Sequence, residues 1–391
     1  MLLMIACSSC NGNKVPDSRF AALIWLKGCF GVLRLTQVNA PGWHSAEIER
    51  RRLGDRYDLA ALPQDRDPAN WKPSMAETRK HEKYEALIAM CRALAPVRTA
   101  VVHPCEQSTL QATIEAAQIK IIRPILVGPT AKIRAAAASA GLDVGAFPLI
   151  DTPHSHAAAA KAVELVRTGE ADMLMKGSLH TDELMTEVVR TDTGIRTERR
   201  ISHIFIMDVP TYPKPLFITD AAVNILPNLE EKADIARNAI DLCHAFGIVQ
   251  PKVAILSAVE TISSKIPSTL EAAALCKMAE RDQIAGAILD GPLAFDNAIS
   301  RDAAAIKHIA SAVAGDADVL LVPDLEAGNM LVKALSFLAD ADAAGIVLGA
   351  RVPIILTSRA DSLRTRVASC AVAALYAHAK RVAIGSVGKP E

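Results

Sequence analysis

The sequence predicts an α/β protein, with parallel or mixed sheets that carry helices on both faces. Short apolar runs alternate with Ala-rich amphipathic stretches, which is the pattern of strand–helix–strand units. Aromatic residues make up only 4% of the 391 residues whereas hydrophobic residues make up 51%, so small aliphatic side chains must build the core. Charged residues, at 22%, are also in the proportion of a folded globular chain.

Charge and cysteine usage exclude several classes of protein. The 43 basic and 43 acidic residues leave no net charge, which argues against a protein that binds nucleic acid or a membrane surface through a basic face. No apolar run is long enough to cross a bilayer. The 8 cysteines form no repeated pair apart from one lone Cys7-x-x-Cys10, so we expect a reducing, cytoplasmic location without redox or zinc duty.

Residues 1–75 differ from the rest of the chain. All three tryptophans lie there, and neither a helical nor a strand period is sustained. We interpret this part as an appended, partly disordered segment, or as sequence upstream of a later start such as Met75. The sequence alone leaves both open.

From Glu77 onward the alternation becomes regular. It predicts strands at Thr99–His103, Ile125–Gly128, Asp172–Met175, His203–Met207, Leu216–Thr219, Val253–Leu256, Ala287–Leu289, Val319–Val322, Gly345–Leu348 and Ile354–Thr357. Between them it predicts helices such as Ser155–Arg167, Leu229–Phe246, Thr269–Arg281 and Ser362–Ala379. In such folds ligands bind beyond the carboxyl ends of parallel strands, so the segments after the strands are the first candidates for a site.

The segment after the strand at Asp172 has the residues of a phosphate-binding turn. Lys176 adds a positive charge, Gly177 allows a close backbone approach, and Ser178 offers a hydroxyl before a helix start at Thr181. Helix capping by Ser178 or Thr181 explains the same pattern equally well. His180 is a candidate acid or base, or only a hydrogen-bonded neighbour.

The last strand runs into Ser358 and Arg359, followed by Asp361 and a helix. A hydroxyl and a guanidinium at a helix start can bind an oxyanion. Ser358 and Asp361 also have the spacing of a capping box, which would need neither function nor ligand. Arg359 separates the two interpretations, because a cap does not require it.

Three further loops place polar residues where a cleft would open. The residues are Asp220 and Asn224 after one strand, Asp290 after another, and Gly328 and Asn329 after a third. Each loop alone is also ordinary turn chemistry. The fingerprints of P-loop, dinucleotide-binding and α/β-hydrolase proteins are absent. His154 and His156 lack a further ligand at metal spacing, so we expect no metal site.

Taken together, the sequence segments that follow these strands resemble those of the phosphate acetyltransferase and phosphate butyryltransferase family. The resemblance runs from about residue 83 to about residue 379. Within the family, the sequence most resembles the acyltransferase part of bifunctional enoyl-CoA hydratase/phosphate acetyltransferases. It implies the reaction acyl-CoA + phosphate = acyl phosphate + CoA for a short acyl group, with no metal and no cofactor beyond the coenzyme A thioester. It also implies a homodimer.

The same resemblance implies a two-domain architecture like that of isocitrate and isopropylmalate dehydrogenases, with the active site in the interdomain cleft. One domain would comprise residues 82–200 and 350–391, and the other residues 201–349. Ser358, Arg359 and Asp361 would be catalytic. Substrate binding would fall to Lys176, Gly177, Ser178, His180, Thr181, Asp220, Asn224, Asp290, Gly328 and Asn329.

One position departs from the family pattern. The acetyltransferase branch has its proposed basic carboxylate seven residues after the serine, where this chain has Thr365. Either Asp361 substitutes for that carboxylate, or a butyryltransferase-like branch manages the thiol in a different way, so the base stays open. Two alternatives remain: a metal-dependent decarboxylating dehydrogenase of the same architecture, and a non-catalytic protein that binds coenzyme A.

Overall fold

A computed structural model describes residues 82–357 and 361–387, and in addition three short strands nearer the N terminus. The chain separates into two compact units, residues 1–76 and residues 77–391. The described part of the first unit is an antiparallel sheet of three two-residue strands, β1 (Ile5–Ala6), β2 (Leu23–Ile24) and β3 (Leu33–Arg34). The remainder of the predicted appended segment lies outside the described residues.

The second unit is built on one 11-stranded sheet. Its strands are β4 (Val97–Val102), β5 (Ile122–Gly128), β6 (Leu149–Asp151), β7 (Met173–Lys176), β8 (Ser202–Asp208), β9 (Leu216–Thr219), β10 (Lys252–Leu256), β11 (Ile288–Leu293), β12 (Val319–Leu321), β13 (Asp342–Leu348) and β14 (Ile354–Ile355). All of the predicted strands are present. The bounds of Leu216–Thr219 are as predicted, and the other strands have at least one shifted end. The three-residue β6 was not predicted, because a run that short does not stand out from a loop.

The sheet is mixed, in the order β11-β10-β12-β9-β8-β13-β14-β7-β4-β5-β6. Strand β8 pairs antiparallel with both β9 and β13, and β13 pairs antiparallel with β14, whereas the other pairs are parallel. The strands of the two predicted domain ranges occupy opposite ends of this continuous sheet. The division into two domains stays a prediction.

Helices cover both faces, which confirms the α/β class. They are α1 (Glu82–Arg92), α2 (Gln107–Gln118), α3 (Thr130–Ser139), α4 (Ser155–Arg167), α5 (Thr181–Val189), α6 (Leu229–Ala245), α7 (Pro267–Glu280), α8 (Phe295–Ile299), α9 (Arg301–Ile306), α10 (Leu325–Leu338) and α11 (Leu363–Val387). Among the described residues, no helix is long and apolar enough to span a bilayer.

The core is continuous on one face of the sheet and interrupted on the other. On the first face, α1, α2, α6, α7 and α11 share one cluster of buried side chains that runs from β4 to β10. On the second face, one cluster joins α4 and α5 to β4 and β7, and a separate cluster joins α8 and α10 to β9, β10 and β12. Because residues of a strand alternate between faces, β8 and β13 contribute to both sides. Since the two clusters of the second face are separate, a gap lies between them.

Candidate active site

A cleft of about 950 Å³ opens on the second face of the sheet. Its walls come from the turn after β7, the exposed edge of α10, the start of α11 and the side chains of β8 and β13 that face the gap. Five of the predicted site residues line it: Lys176, His180, Thr181, Asn329 and Asp361. The cleft therefore unites residues from three distant loops of the sequence.

Gly177 lets the turn after β7 lie against the end of β4. A Cβ atom at this position would lie 2.4 Å from the carbonyl oxygen of Val102 and 2.7 Å from that of His103. The Gly177 amide donates to the Val102 carbonyl at 2.9 Å, so the contact is also hydrogen-bonded. This fixes the preceding Lys176, which is buried yet lines the cleft.

Ser178 holds two turns together. Its hydroxyl donates to the His103 carbonyl at 2.9 Å and accepts from the Cys105 amide at 3.0 Å. The single O–H of Ser178 is therefore committed to the backbone, and the residue does not line the cleft. In this structure its hydroxyl supports the turn instead of pointing a donor at a bound anion.

His180 and Thr181 lie at the start of α5, and both are exposed in the cleft. His180 occupies the N-cap position without a hydrogen bond from its side chain. Asp182 and Glu183 follow in the first turn of the helix, and they offset the positive potential of its N-terminus. Any anion specificity here must therefore come from the side chains Lys176 and His180 more than from the helix end.

Asp220 organises the loop after β9. Its two carboxylate oxygens accept from the amides of Ala222, Val223, Asn224 and His203 at 2.9 to 3.2 Å, and from the Asn224 side chain at 2.6 Å. Asp220 does not line the cleft and both of its oxygens are taken up by these internal donors, so this charge faces no ligand. Its effect on the cleft is indirect, through Ala222, which lines the wall.

Asn224 faces a different cavity. Its amide nitrogen donates to the Ile201 carbonyl at 2.9 Å and its oxygen accepts from the Arg200 guanidinium at 2.7 Å. Both residues line a neighbouring cavity of about 1270 Å³, together with Arg196, Glu231 and other charged side chains. Asn224 is therefore part of the framework that separates the two cavities.

Helix α10 meets the Asp220 loop at a glycine. A Cβ atom at Gly328 would lie 2.8 Å from Val322 and 2.9 Å from the Ala221 side chain. The next residue, Asn329, donates from its amide to the Ala221 carbonyl at 3.2 Å and lines the cleft. Gly328 is thus a packing residue, and it sets the position of Asn329.

Asp290 is not part of the cleft. It lies on β11, the terminal strand of the sheet, and accepts from the Gly291 amide at 2.8 Å. Neither cavity described above includes it. The turn that the sequence left open as an alternative is not found at Asp290 either, because β11 continues through this residue to Leu293.

The capping-box interpretation of Ser358 and Asp361 is wrong. Helix α11 begins at Leu363, and the residue before it, Ser362, accepts from the Thr365 amide at 3.1 Å. Asp361 therefore lies before the first turn of α11, and it lines the cleft. Ser358 and Arg359 lie outside the described residues.

Thr365 also lines the cleft, where its hydroxyl accepts from the Ser362 hydroxyl at 3.1 Å. A threonine hydroxyl does not ionise near neutral pH, so it cannot replace a basic carboxylate. One turn further, the guanidinium of Arg366 donates to the Thr357 hydroxyl at 3.2 Å and ties α11 to the end of the last strand. The sequence reasoning missed this arginine because nothing in its spacing distinguishes it from a surface residue.

His203 is a second residue that the sequence reasoning missed. It lies on β8 within an apolar run, is fully buried and lines the cleft beside Phe205 and Gly345. Burial lowers the pKa of His203 to about 4, although the nearby Asp220 carboxylate opposes this shift. The available signal was a polar residue in the middle of a buried strand.

No metal site emerges in the described ranges, where no group of three or more His, Cys, Asp or Glu side chains is arranged to hold an ion. His154 caps α4 by accepting from the Ala157 amide at 3.2 Å. Its partner in the sequence motif, His156, lies 6.2 Å away between ring centroids. The first histidine of the pair thus has a structural role.

Comparison with known proteins identifies the family. The family model described as "Phosphate acetyl/butaryl transferase" matches residues 154–374. The chain is 66% identical to a phosphate acetyltransferase of Rhizobium meliloti over 301 residues, which cover 77% of this chain and 95% of that protein. The chain belongs to the phosphate acetyl/butyryl transferase family. The expectation of an acyltransferase is thereby confirmed.

Both branches of the family are represented among the similar proteins. A phosphate butyryltransferase of Clostridium acetobutylicum is 41% identical over 296 residues, covering 76% of this chain and 98% of that protein. The crystal structure of a branched-chain phosphotransacylase from Enterococcus faecalis V583 superimposes with a TM-score of 0.65 at 29% identity, covering 72% of this chain and 99% of that one. The residues that the family model matches, 154–374, lie in the second unit of the fold.

Proposed function

We propose that the 950 Å³ cleft is where this chain carries out the reaction of its family, acyl-CoA + phosphate = acyl phosphate + CoA. The observation that carries the proposal is the pairing of two kinds of wall in one cleft. Lys176, His180 and Asn329 offer a charge and polar donors, whereas Phe205 and Val332 offer apolar surface. An acyl phosphate has the same two-sided character.

The proposed reaction needs no covalent intermediate on the enzyme. A phosphate oxygen attacks the thioester carbonyl carbon, the carbon–sulfur bond of the tetrahedral adduct breaks, and the thiolate leaves with the electron pair of that bond. The proton lost by the phosphate ends on the sulfur. The protein must therefore orient two substrates, stabilise the oxyanion of the adduct and convey one proton.

Residue roles follow from these requirements. Lys176 and His180 attract and orient phosphate, and Asn329 supplies a further contact. Arg359 and Ser358 bind the reacting anion, as the family resemblance implies. Asp361 is the carboxylate that handles the proton. Asp340 and Asp342 also line the cleft, but Asp361 lies closest in the sequence to Thr365, the position of the family's basic carboxylate.

The decisive experiment is thiol release from acetyl-, propionyl- and butyryl-CoA, with and without phosphate, followed with a colorimetric thiol reagent. Phosphate-dependent release supports acyl transfer and ranks the acyl chains. Phosphate-independent release indicates a thioesterase, and coenzyme A binding without release indicates a non-catalytic binding protein. Reduction of a nicotinamide that requires Mg²⁺ would instead favour the decarboxylating dehydrogenase.

Two variants test the assigned residues in this assay. Arg359→Ala is expected to lower turnover by about 10²-fold or more, the usual loss for one oxyanion contact. Asp361→Asn is expected to lower the turnover rate and to flatten its pH profile, and α11 keeps its N-cap in this variant because Ser362 provides it. Unchanged turnover in either folded variant would remove that residue from the mechanism.

We further propose a homodimer, a division of the second unit into two domains around the cleft, and a cytoplasmic location. Exposed apolar side chains on α10, namely Met330, Phe337 and Leu338, support a buried interface on that helix. All five cysteines described in the structure are free thiols, which fits a reducing compartment. Light scattering after size-exclusion chromatography measures the molar mass, and a monomer would contradict the dimer.

A further inference from the structure

The imidazole of His203 lies at the floor of the cleft, where two elements leave room for it. Its ring centroid is 4.3 Å from that of Phe205, two residues further along β8. On the neighbouring β13, a Cβ atom at position 345 would lie 2.9 Å from both Cε1 and Nε2 of the imidazole, and Gly345 has none. His203, Phe205 and Gly345 all line the cleft. The imidazole thus occupies a space that a side chain at position 345 would fill.

Neither ring nitrogen of His203 has a hydrogen-bond partner within residues 82–357 and 361–387. The backbone of Leu356 lies close enough to favour the protonated ring, yet no bond of acceptable geometry forms. Buried polar atoms in folded proteins are almost always paired, because an unpaired one loses its hydration without compensation. Elsewhere His244 and His378 each meet a backbone carbonyl. Among the described residues, single buried atoms of four other side chains also lack a partner, but only His203 has two such atoms.

Burial keeps His203 neutral at neutral pH, because it lowers the pKa of the imidazole to about 4. A neutral imidazole carries one N–H donor and one acceptor nitrogen. Such a ring can polarise a carbonyl group without placing a positive charge next to Lys176. A ring of this kind is a weak base, so proton transfer is left to Asp361.

We propose that His203 donates a hydrogen bond to the acyl carbonyl oxygen of the substrate, and that the bond strengthens as this oxygen becomes an oxyanion in the tetrahedral adduct. The inference rests on the proposed acyl-transfer function and assigns one more group to it. Both ring nitrogens are buried in this structure, so the contact forms as the entering acyl group displaces the side chains that cover the ring. The acyl chain then extends over the apolar side chains of Phe205 and Ala343. Ser358 and Arg359 then act on the phosphate side of the adduct.

Three substitutions test the donor. His203→Leu removes both nitrogens without adding bulk, and it is expected to lower kcat by about 10²-fold, with the KM for phosphate unchanged within about threefold. His203→Asn and His203→Gln place an amide donor near the position of Nδ1 and Nε2 respectively, so one of them is expected to recover at least about tenfold of the lost kcat. His378→Gln, outside the cleft, is the matched control and should retain the wild-type rate.

The outcomes separate the inference from the function on which it rests. Without phosphate-dependent thiol release by the wild-type protein, the proposed function itself fails. With such release, a wild-type kcat in His203→Leu, a loss shared equally by all three variants, or a loss expressed mainly in the KM for phosphate overturns the role of His203. Ring ¹⁵N resonances give a second test on the wild-type protein: butyryl-CoA alone should shift the signal that disappears in His203→Gln, and an unshifted signal refutes the contact.

Discussion

Replacement of Asp220 by Asn is the most demanding test of how the loop beside the cleft is held. The two side chains have nearly the same shape, but an amide offers one acceptor oxygen and one NH₂ donor where the carboxylate offers two acceptors. In the structure one oxygen of Asp220 accepts from two amides, those of Ala222 and Val223. The other oxygen accepts from three groups, the His203 amide and the amide and side chain of Asn224.

The loss of stability follows from the number of hydrogen bonds that the amide cannot accept. In its better orientation the new amide keeps its oxygen where three donors meet and turns its NH₂ towards the amides of Ala222 and Val223. Two hydrogen bonds to a charged group are then lost, each worth about 1.5 kcal/mol or more. The two amides also face a donor in place of an acceptor. We therefore expect Asp220→Asn to lower the free energy of unfolding by about 3 kcal/mol or more.

Urea unfolding followed by circular dichroism measures this loss, with the slope of the transition as a check on cooperativity. Asp290→Asn is the matched control, because Asp290 is less buried and accepts a single bond, from its neighbour Gly291. It is expected to cost less than about 1 kcal/mol. An unfolding free energy of Asp220→Asn within about 1 kcal/mol of the wild type would refute the reasoning, since the five donors would then be satisfied in another way.

Three further measurements check other parts of the structure. Gly177→Ala should lower both stability and activity, because its Cβ atom would lie 2.4 Å from the Val102 carbonyl oxygen and the strand ends must separate; wild-type turnover would contradict this. Lys252 and Lys214 outweigh partial burial and lower the pKa of Asp316 from 3.8 to about 2. The ionised carboxylate therefore stabilises the fold above pH 4. The difference in unfolding free energy between the wild type and Asp316→Asn should shrink as pH falls from about 4 to about 2. A difference that does not change with pH would contradict this prediction. Burial raises the pKa of the thiols of Cys91, Cys243 and Cys370. Mass spectrometry of the native protein after brief alkylation should therefore find no label on these three residues. Rapid labelling would argue against their packing.

The strands and helices were predicted well from the sequence, because apolar residues recur in these elements at the period of a strand or of a helix. On α6, for example, Ile235, Ala239 and Leu242 recur at helical spacing and are fully buried against the sheet. Helix ends were predicted within a few residues for the same reason, except that α11 continues well past the predicted Ala379. A weak amphipathic pattern near the chain end gave no signal for that extension.

The site was predicted in part, and the parts that failed have physical reasons. Residues directly after parallel strands or at helix starts, such as Lys176 and Asp361, were found because their position alone brings them to the cleft. Asp220 and Gly328 were predicted to bind substrate, but the contacts that the structure shows for them are internal. A sequence cannot show which way a polar side chain turns. His203 was missed because a strand interior is normally read as core.

The location of the cleft follows from the mixed direction of the sheet. Parallel strands need a long crossover, usually a helix, and that helix covers the face of the sheet. Strands β8 and β9 are instead joined by Val209–Pro215, and β13 and β14 by residues 349–353, so neither connection carries a helix. The second face above β8 and β13 is therefore left bare between its two core clusters. A polar residue at mid-strand, His203, faces this opening, which is why the reversed strands themselves, and not only their ends, supply functional side chains.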